Sequence, residues 1–409
     1  MGVSLLSVPC TTAMNGSDER SSPAPGRPPQ LASEDRLAWV ALTLTPGLGP
    51  KRILKAAQAL PGISNLFHLS LTELESLNFP AEAAQFLFTG KARIAAEQEL
   101  LRVGEQGGAI LAYEDPEYPD RLREIFDPPP VLWALGDMRL LSRPSIAIVG
   151  TRHPTPYGTG MAELLARDLA SRRMVILSGM ARGIDTAAHR GALAGNGSTV
   201  AVWGTGIDVI YPKENKSLAE NILTAGGAIL SEYPLGTFPA PQNFPRRNRI
   251  LSGISLGVLV VEAGENSGTR VTARCALEQN RDVYAVPGNV TTRNAWGPNT
   301  LIKQGAKLVA TWEDVWEELP THVRLQLEEE AGFASPAEDP ASIVQELPLQ
   351  DPEKIVLGAL RHDEAVQLDE LMEKLEPQLT SSEIFTALFE LELANRIKQL
   401  PGKNYVRRM

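Results

Sequence analysis

The 409-residue chain is 43% hydrophobic and 22% charged, ordinary globular composition that supports two or three packed domains. A formal net charge of -10 excludes a protein held to nucleic acid by overall charge, so any polyanion site has to be a local basic patch. The two cysteines, Cys10 and Cys275, exclude a disulfide framework, no Cys/His spacing suits a metal, and no apolar run reaches the ~20 residues of a membrane span.

The chain opens without a basic stretch followed by a long apolar one, so no signal peptide is read and a reducing cytoplasm is expected. Residues 1–32 are rich in Ser, Pro and Gly and read as a disordered tail. Residues 33–107 carry helical spacing, beginning with Leu37, Val40, Ala41 and Leu44 on one face. Gly47 and Gly49 separate two helical runs, and Lys51 and Arg52 open the second. That pattern resembles a helix-hairpin-helix (SAM-like) unit whose turn approaches a DNA phosphate. It is equally the pattern of a plain helix–helix turn.

From residue 108 to 319 the pattern alternates between strands and helices, which predicts an extended parallel α/β sheet of Rossmann-like type. Ile110–Tyr113 reads as an edge strand that Leu122, Ile125 and Leu132 pack down. The triple proline Pro128–Pro130 stops any helix there. Apolar strands are then read in SIAIVGTR, MVILSG, STVAVWGTG, GAILSEYP, LGVLVVEAG and DVYAVPG. Glycine-rich turns follow strand after strand at their C-terminal ends, the edge where open parallel sheets bind ligands. Residues 320–348 read as an acidic Pro/Ala-rich linker. Residues 349–409 read as three helices and a hairpin turning at Pro401-Gly402, a winged-helix pattern. Thr380 or Ser381 with Glu383 starts its third helix. Glu383, Glu390 and Glu392 make that helix a poor reader of the major groove and favour a protein-contact role.

Four turns can converge on one anion. VGTRHPTPYG lacks the second glycine of a dinucleotide fingerprint, which argues against NAD. It does put Arg152 after a strand end, where a guanidinium can grip a phosphate through two donors. In SGMARGID, Gly179 and Gly183 allow a tight turn into a helix, and Asp185 is expected to orient that turn. His189 reads as a packed polar residue. Lys213 follows a proline in an exposed turn. The fourth stretch, NFPRRNRILSGISLGVLVVEAGENSGT, reads as three arginines (Arg246, Arg247, Arg249) leading into a buried strand and a turn at Gly264–Gly268. Some of these arginines are expected to pair with Glu232 or Glu262.

IVGTR, SGMARGID, YPKEN, NFPRRNRILSG, SGTRVTA and AVPGN, preceded by YPDRLREIFDPPPVLWALG, occur in an order that resembles the DprA/Smf family of bacterial DNA-processing proteins. The resemblance covers Tyr118 to about Glu318. It implies a protein that binds single-stranded DNA without catalysis and protects incoming strands during natural transformation. It further implies hand-over of the strand to the RecA recombinase past the single-strand-binding protein, and a homodimer formed through the far end of the Rossmann-like domain. The family's basic pocket falls on Arg152, Lys213 and Arg247, with Thr151, Gly179 and Asn248 beside it and Asn243-Phe244 leading in. Arg246 stands where the family pattern varies. Leu277, Ile302 and Leu308, which otherwise read as ordinary core, fall on the dimer surface. No cofactor or metal is implied.

The binding mode expected from these residues is charge-led and tolerant of sequence, with Phe244 and Tyr211 as the local stacking groups. Two alternatives share the fold. A nucleoside-monophosphate phosphoribohydrolase carries G-G-x-G-T-x-x-E, but in the matching run up to Thr272 the first two glycines are absent and Thr272 stands in place of the acid. A nucleotide sensor would bind a mononucleotide and no oligonucleotide.

Overall fold

In a computed structural model the described residues are 33–265, 267–331, 351–360, 366–393, 396–400 and 402–407. The expected tail at 1–32 lies outside them, as does most of the expected linker. The chain divides into two units, residues 1–334 and 335–409.

The first unit begins with α1 (Ser33–Leu44), α2 (Pro50–Ala59), α3 (Leu71–Ser76), α4 (Ala81–Phe88) and α5 (Lys91–Glu105). Gly47, at φ +76°, makes the turn before α2. Lys51 and Arg52 are engaged locally. The Lys51 Nζ lies 3.4 Å from the centre of the Phe126 ring, and Arg52 donates to the Gly47 carbonyl at 3.0 Å. The helices do not form a separate domain. Trp39, Leu42, Ile53 and Leu74 share one continuous core with Trp133, Trp203 and Ile229 of the sheet. Polar pins reinforce that contact. Arg36 pairs with the buried Asp115 at 2.8 Å, and the buried Glu99 accepts from Trp133 Nε1 at 2.9 Å and from the Leu235 amide at 2.7 Å.

The sheet is built from β1 (Ala109–Ala112), β2 (Val131–Gly136), β3 (Ser145–Val149), β4 (Val175–Ser178), β5 (Thr199–Trp203), β6 (Ala228–Ser231), β7 (Gly257–Val260), β8 (Asp282–Ala285) and β9 (Lys307–Leu308). Its helices are α6 (Asp120–Arg123), α7 (Pro156–Ser171), α8 (Ile184–Ala194), α9 (Lys216–Thr224), α10 (Asn243–Ile254), α11 (Thr269–Glu278), α12 (Trp296–Lys303), α13 (Trp312–Trp316) and α14 (Thr321–Ala331). The strand order is β1-β2-β6-β5-β4-β3-β7-β8-β9. From β6 through β9 every pairing is parallel, whereas β1–β2 and β2–β6 are antiparallel. β1 is therefore the edge expected for residues 110–113, and Leu122, Ile125 and Leu132 pack there as read. β2, hidden in the sequence behind three prolines, couples that edge to the parallel sheet.

The order reverses at β3. Through α7 the chain steps from β3 to β4 on one side, and through α10 it crosses back to β7 on the other. Loops leaving β3 and β7 diverge, and an open α/β sheet has its ligand crevice at that reversal.

Three sequence expectations change. The arginines of residues 246–249 do not run into a strand; they lie on α10. Pro245 falls in the first turn, where a missing N–H costs nothing, and Arg247, Ile250, Leu251 and Ile254 bury one face at helical spacing. Residues 321–331 are not linker, because Val323 and Leu327 of α14 are buried in the core beneath α7 and α8. Leu277 and Leu308 are not core, being 60% and 49% exposed. Ile302 is half-buried.

The second unit holds α15 (Asp351–Ala359), β10 (Val366–Gln367), α16 (Leu368–Leu375), α17 (Ser381–Leu393), β11 (Ile397–Leu400) and β12 (Asn404–Arg407). Its core includes Val356, Leu371, Ile384, Leu391 and Ile397. Thr380 starts α17 as read: its hydroxyl and amide both bond Glu383, and the Glu383 amide returns to the hydroxyl. Three helices with a β10-β12-β11 sheet make a winged helix. Among the described residues no helix is long and apolar enough to cross a membrane, and no cluster of side chains could hold a metal.

Candidate nucleic-acid interface

A cleft of about 760 Å³ opens at the topological reversal. Thr151 and Arg152 line it after β3, Asp185 lies at its α8 side, Phe244, Arg247 and Asn248 come from α10, and Gly268 and Thr269 open α11. In a parallel α/β unit each helix starts where its strand ends, so the N-termini of α8, α10 and α11 all face this edge. Their dipoles favour an anion, although the first amide of each is already engaged: Ile184 donates to the Thr151 carbonyl, Asn243 to the Ala240 carbonyl and Thr269 to the Ser267 hydroxyl.

The turn after β4 is fixed by close contacts. A Cβ on Gly179 would lie 2.4 Å from Arg247 Nη1, and one on Gly183, whose φ is +79°, would lie 2.3 Å from the Thr151 carbonyl. The buried Asp185 carboxylate accepts from the amides of Gly179 at 3.1 Å and Ala181 at 3.3 Å, the orienting role read for it. Burial pushes its pKa up to about 6, against the pull of Arg247. His189 is fully buried, as expected for a packed residue, with Nδ1 2.7 Å from the Thr199 hydroxyl. Burial, aided by the Arg247 charge, lowers its pKa to about 3.

Arg247 does not stand free to fork a phosphate. It is 4% exposed, and its guanidinium donates to the carbonyls of Gly179, at 2.8 Å, and of Val202. It ties the ends of β4 and β5 to α10 and lends positive charge to the cleft floor. Arg249 is buried against Glu232 at 2.7 Å and Asp127 at 3.1 Å, and Arg246 reaches Glu232 at 3.6 Å. The expected pairing with Glu232 is therefore present. Among the described residues Glu262 pairs with no arginine. Its buried carboxylate accepts from the Thr155 amide at 2.9 Å, the Thr155 hydroxyl at 2.5 Å and Asn294 at 3.3 Å, clamping the loops after β3 and β8.

Arg152 is an exposed cation of the cleft. It makes no salt bridge among the described residues, and its guanidinium lies 5.7 Å from the centre of the Phe244 ring. Phe244 in turn tilts against Tyr211, with ring centres 5.4 Å apart. Gly179 and Tyr211 line a smaller hollow beside the cleft together with Arg152 and Arg182. Arg182 is paired with Glu214 at 2.5 Å. Lys213 is exposed on the turn after Pro212, but neither the cleft nor the hollow includes it. Arg293, exposed on the loop after β8, lines the opposite wall. Sequence reading missed it, although it follows AVPGN at the same sheet edge as the other turns.

Two family models match the chain: DNA recombination-mediator protein A over residues 109–320 and the DprA winged helix domain over residues 336–403. Protein Smf of Escherichia coli is 39% identical over 83% of this chain and 88% of its own. DNA processing protein DprA of Bacillus subtilis is 46% identical over 53% of this chain and 73% of its own. The X-ray structure of DNA processing protein A from Streptococcus pneumoniae superposes with a TM-score of 0.62 at 34% identity, covering 71% of this chain and 99% of that one. Sequence order, sheet topology and winged helix agree, and the chain belongs to the DprA/Smf family of DNA-processing proteins.

Proposed function

We propose that the protein binds single-stranded DNA in the cleft between β3 and β7, protects the strand and hands it to the RecA recombinase past single-strand-binding protein. The observation that carries this reading is Arg152. It is an exposed guanidinium without a carboxylate partner among the described residues, set against Phe244 and Tyr211 at an edge where three helix N-termini converge. Phosphates meet the cation in the field of the helix dipoles, and unstacked bases meet the rings. The strand contacts are Thr151, Arg152, Gly179, Phe244 and Asn248, with Lys213 reaching in from the neighbouring turn and Arg247 contributing charge from below. Leu277, Ile302 and Leu308 form the homodimer surface. Two cationic clefts on one dimer would hold two segments of one strand. The work is done in the cytoplasm and by binding, without catalysis. Thr272 offers a buried hydroxyl where a phosphoribohydrolase needs a carboxylate, and Glu262 is already held by three donors.

The test compares an unstructured oligonucleotide with its duplex over a salt titration. Preference for the single strand, with affinity falling steeply as salt rises, is expected. Equal binding to duplex, or release of free base from a nucleoside monophosphate, would overturn the reading.

A further inference from the structure

A side pocket of about 190 Å³ adjoins the cleft and shares Glu265 and Arg293 with it; Val290, Thr291, Thr292 and Trp296 complete its lining. Trp296 is unlike Trp39, Trp133 and Trp203, which are buried in the core; it is 39% exposed at the start of α12. The Arg270 guanidinium lies 5.2 Å from its ring centre, held there by donation to the Glu265 carbonyl at 2.9 Å. Arg293 is exposed, lines both this pocket and the main cleft, and makes no salt bridge among the described residues. Val290, 87% exposed, supplies a second apolar wall.

We propose that Trp296 is a stacking platform for a nucleobase of the strand as it leaves the main cleft, with Arg293 and Arg270 gripping the flanking phosphates. An apolar planar ring interleaved with guanidiniums along a continuous groove is the arrangement that holds single strands without reading their sequence. Glu265 is the acidic residue of the pocket lining, and Arg293 of the lining with Arg270 beside the Trp296 ring outnumber it in charge. The inference rests on the single-strand reading of the main cleft and extends it by one subsite.

The test uses oligodeoxythymidine of two lengths, one short enough to occupy only the main cleft and one several nucleotides longer. A third strand has the longer length and the same phosphates but lacks bases. Trp296→Ala is expected to weaken the longer strand about 10-fold and the short one by less than about 2-fold, with Trp296→Phe restoring most of the loss. The longer strand should also quench indole emission in wild type, and the baseless strand should not. Unchanged melting temperature of Trp296→Phe guards against a folding defect. Equal affinity of Trp296→Ala and wild type for the longer strand would overturn the inference, as would an altered oligomeric mass with binding unchanged. If wild type binds neither length, the reading of the main cleft fails and the subsite falls with it; if the short strand binds normally and only the length effect is missing, the subsite alone fails.

Discussion

Two groups of arginines sit at one edge of the same sheet and serve different ends. On α10, Arg247 and Arg249 are buried, the first bonded to backbone carbonyls and the second to Glu232 and Asp127. On the rim loops, Arg152 and Arg293 are exposed and make no salt bridge among the described residues. Residue type is identical, but environment differs. A buried guanidinium needs partners from the fold, and these two take theirs there, with Arg247 Nε and Arg249 Nη1 left without one among the described residues, so they are spent on structure. An exposed one next to helix N-termini costs the fold little and is left for a phosphate. The density of arginine in PRRNR is therefore a poor guide to where a strand is held.

The largest effect separating the two groups is expected at Arg249. Arg249→Ala leaves the buried Glu232 carboxylate with only the longer 3.6 Å contact to Arg246, and should cost about 3 kcal/mol of stability in denaturant unfolding. Arg152→Ala should stay within about 0.5 kcal/mol of wild type in the same assay. Comparable losses in the two variants would dissolve the distinction.

His189 sharpens the buried side of the comparison. Its folded pKa of about 3 lies below the ordinary histidine value of 6.5. The unfolded chain therefore takes up a proton first as pH falls. The stability contributed by the neutral ring is complete above pH 6.5 and is lost on acidification toward pH 3, by about 1.4 kcal/mol per pH unit. Asp185, whose folded pKa is raised, acts in the opposite sense, losing stability as pH rises toward 6. The clean measurement is accordingly the difference between wild type and His189→Gln, which should shrink as pH falls from 6.5 to 4. A difference independent of pH would contradict the assignment.

Much of the parallel sheet was legible because buried strands are short apolar runs and glycine turns punctuate their ends, as in SIAIVGTR and MVILSG. α10 was not, because its apolar residues Ile250, Leu251 and Ile254 run on into SLGVLVV and blur into the next strand. β2 was masked by Pro128–Pro130, whose effect is to stop a helix rather than to forbid the strand after them. The site was legible as a set of turns, and Thr151, Arg152, Phe244, Arg247 and Asn248 do line one cleft. What sequence could not supply was burial. Arg247 reads like Arg152 until Gly179, with no side chain, is seen to admit the Arg247 guanidinium within 2.4 Å of where a Cβ would stand. Read by apolar character alone, Leu277 and Leu308 pass for core, yet both are exposed, because residue type does not say whether anything covers a side chain.

The central claim is that the rim cations, and not the arginines of α10, grip the strand. It is tested most directly by the salt dependence of single-strand affinity for wild type and for Arg152→Ala/Arg293→Ala. Each phosphate contact on a single strand contributes about 0.7 to the slope of log affinity against log salt. The double variant should bind less tightly and lose about 1.4 from that slope, with its unfolding stability unchanged. A slope equal to that of wild type would place the phosphate contacts elsewhere and contradict the account.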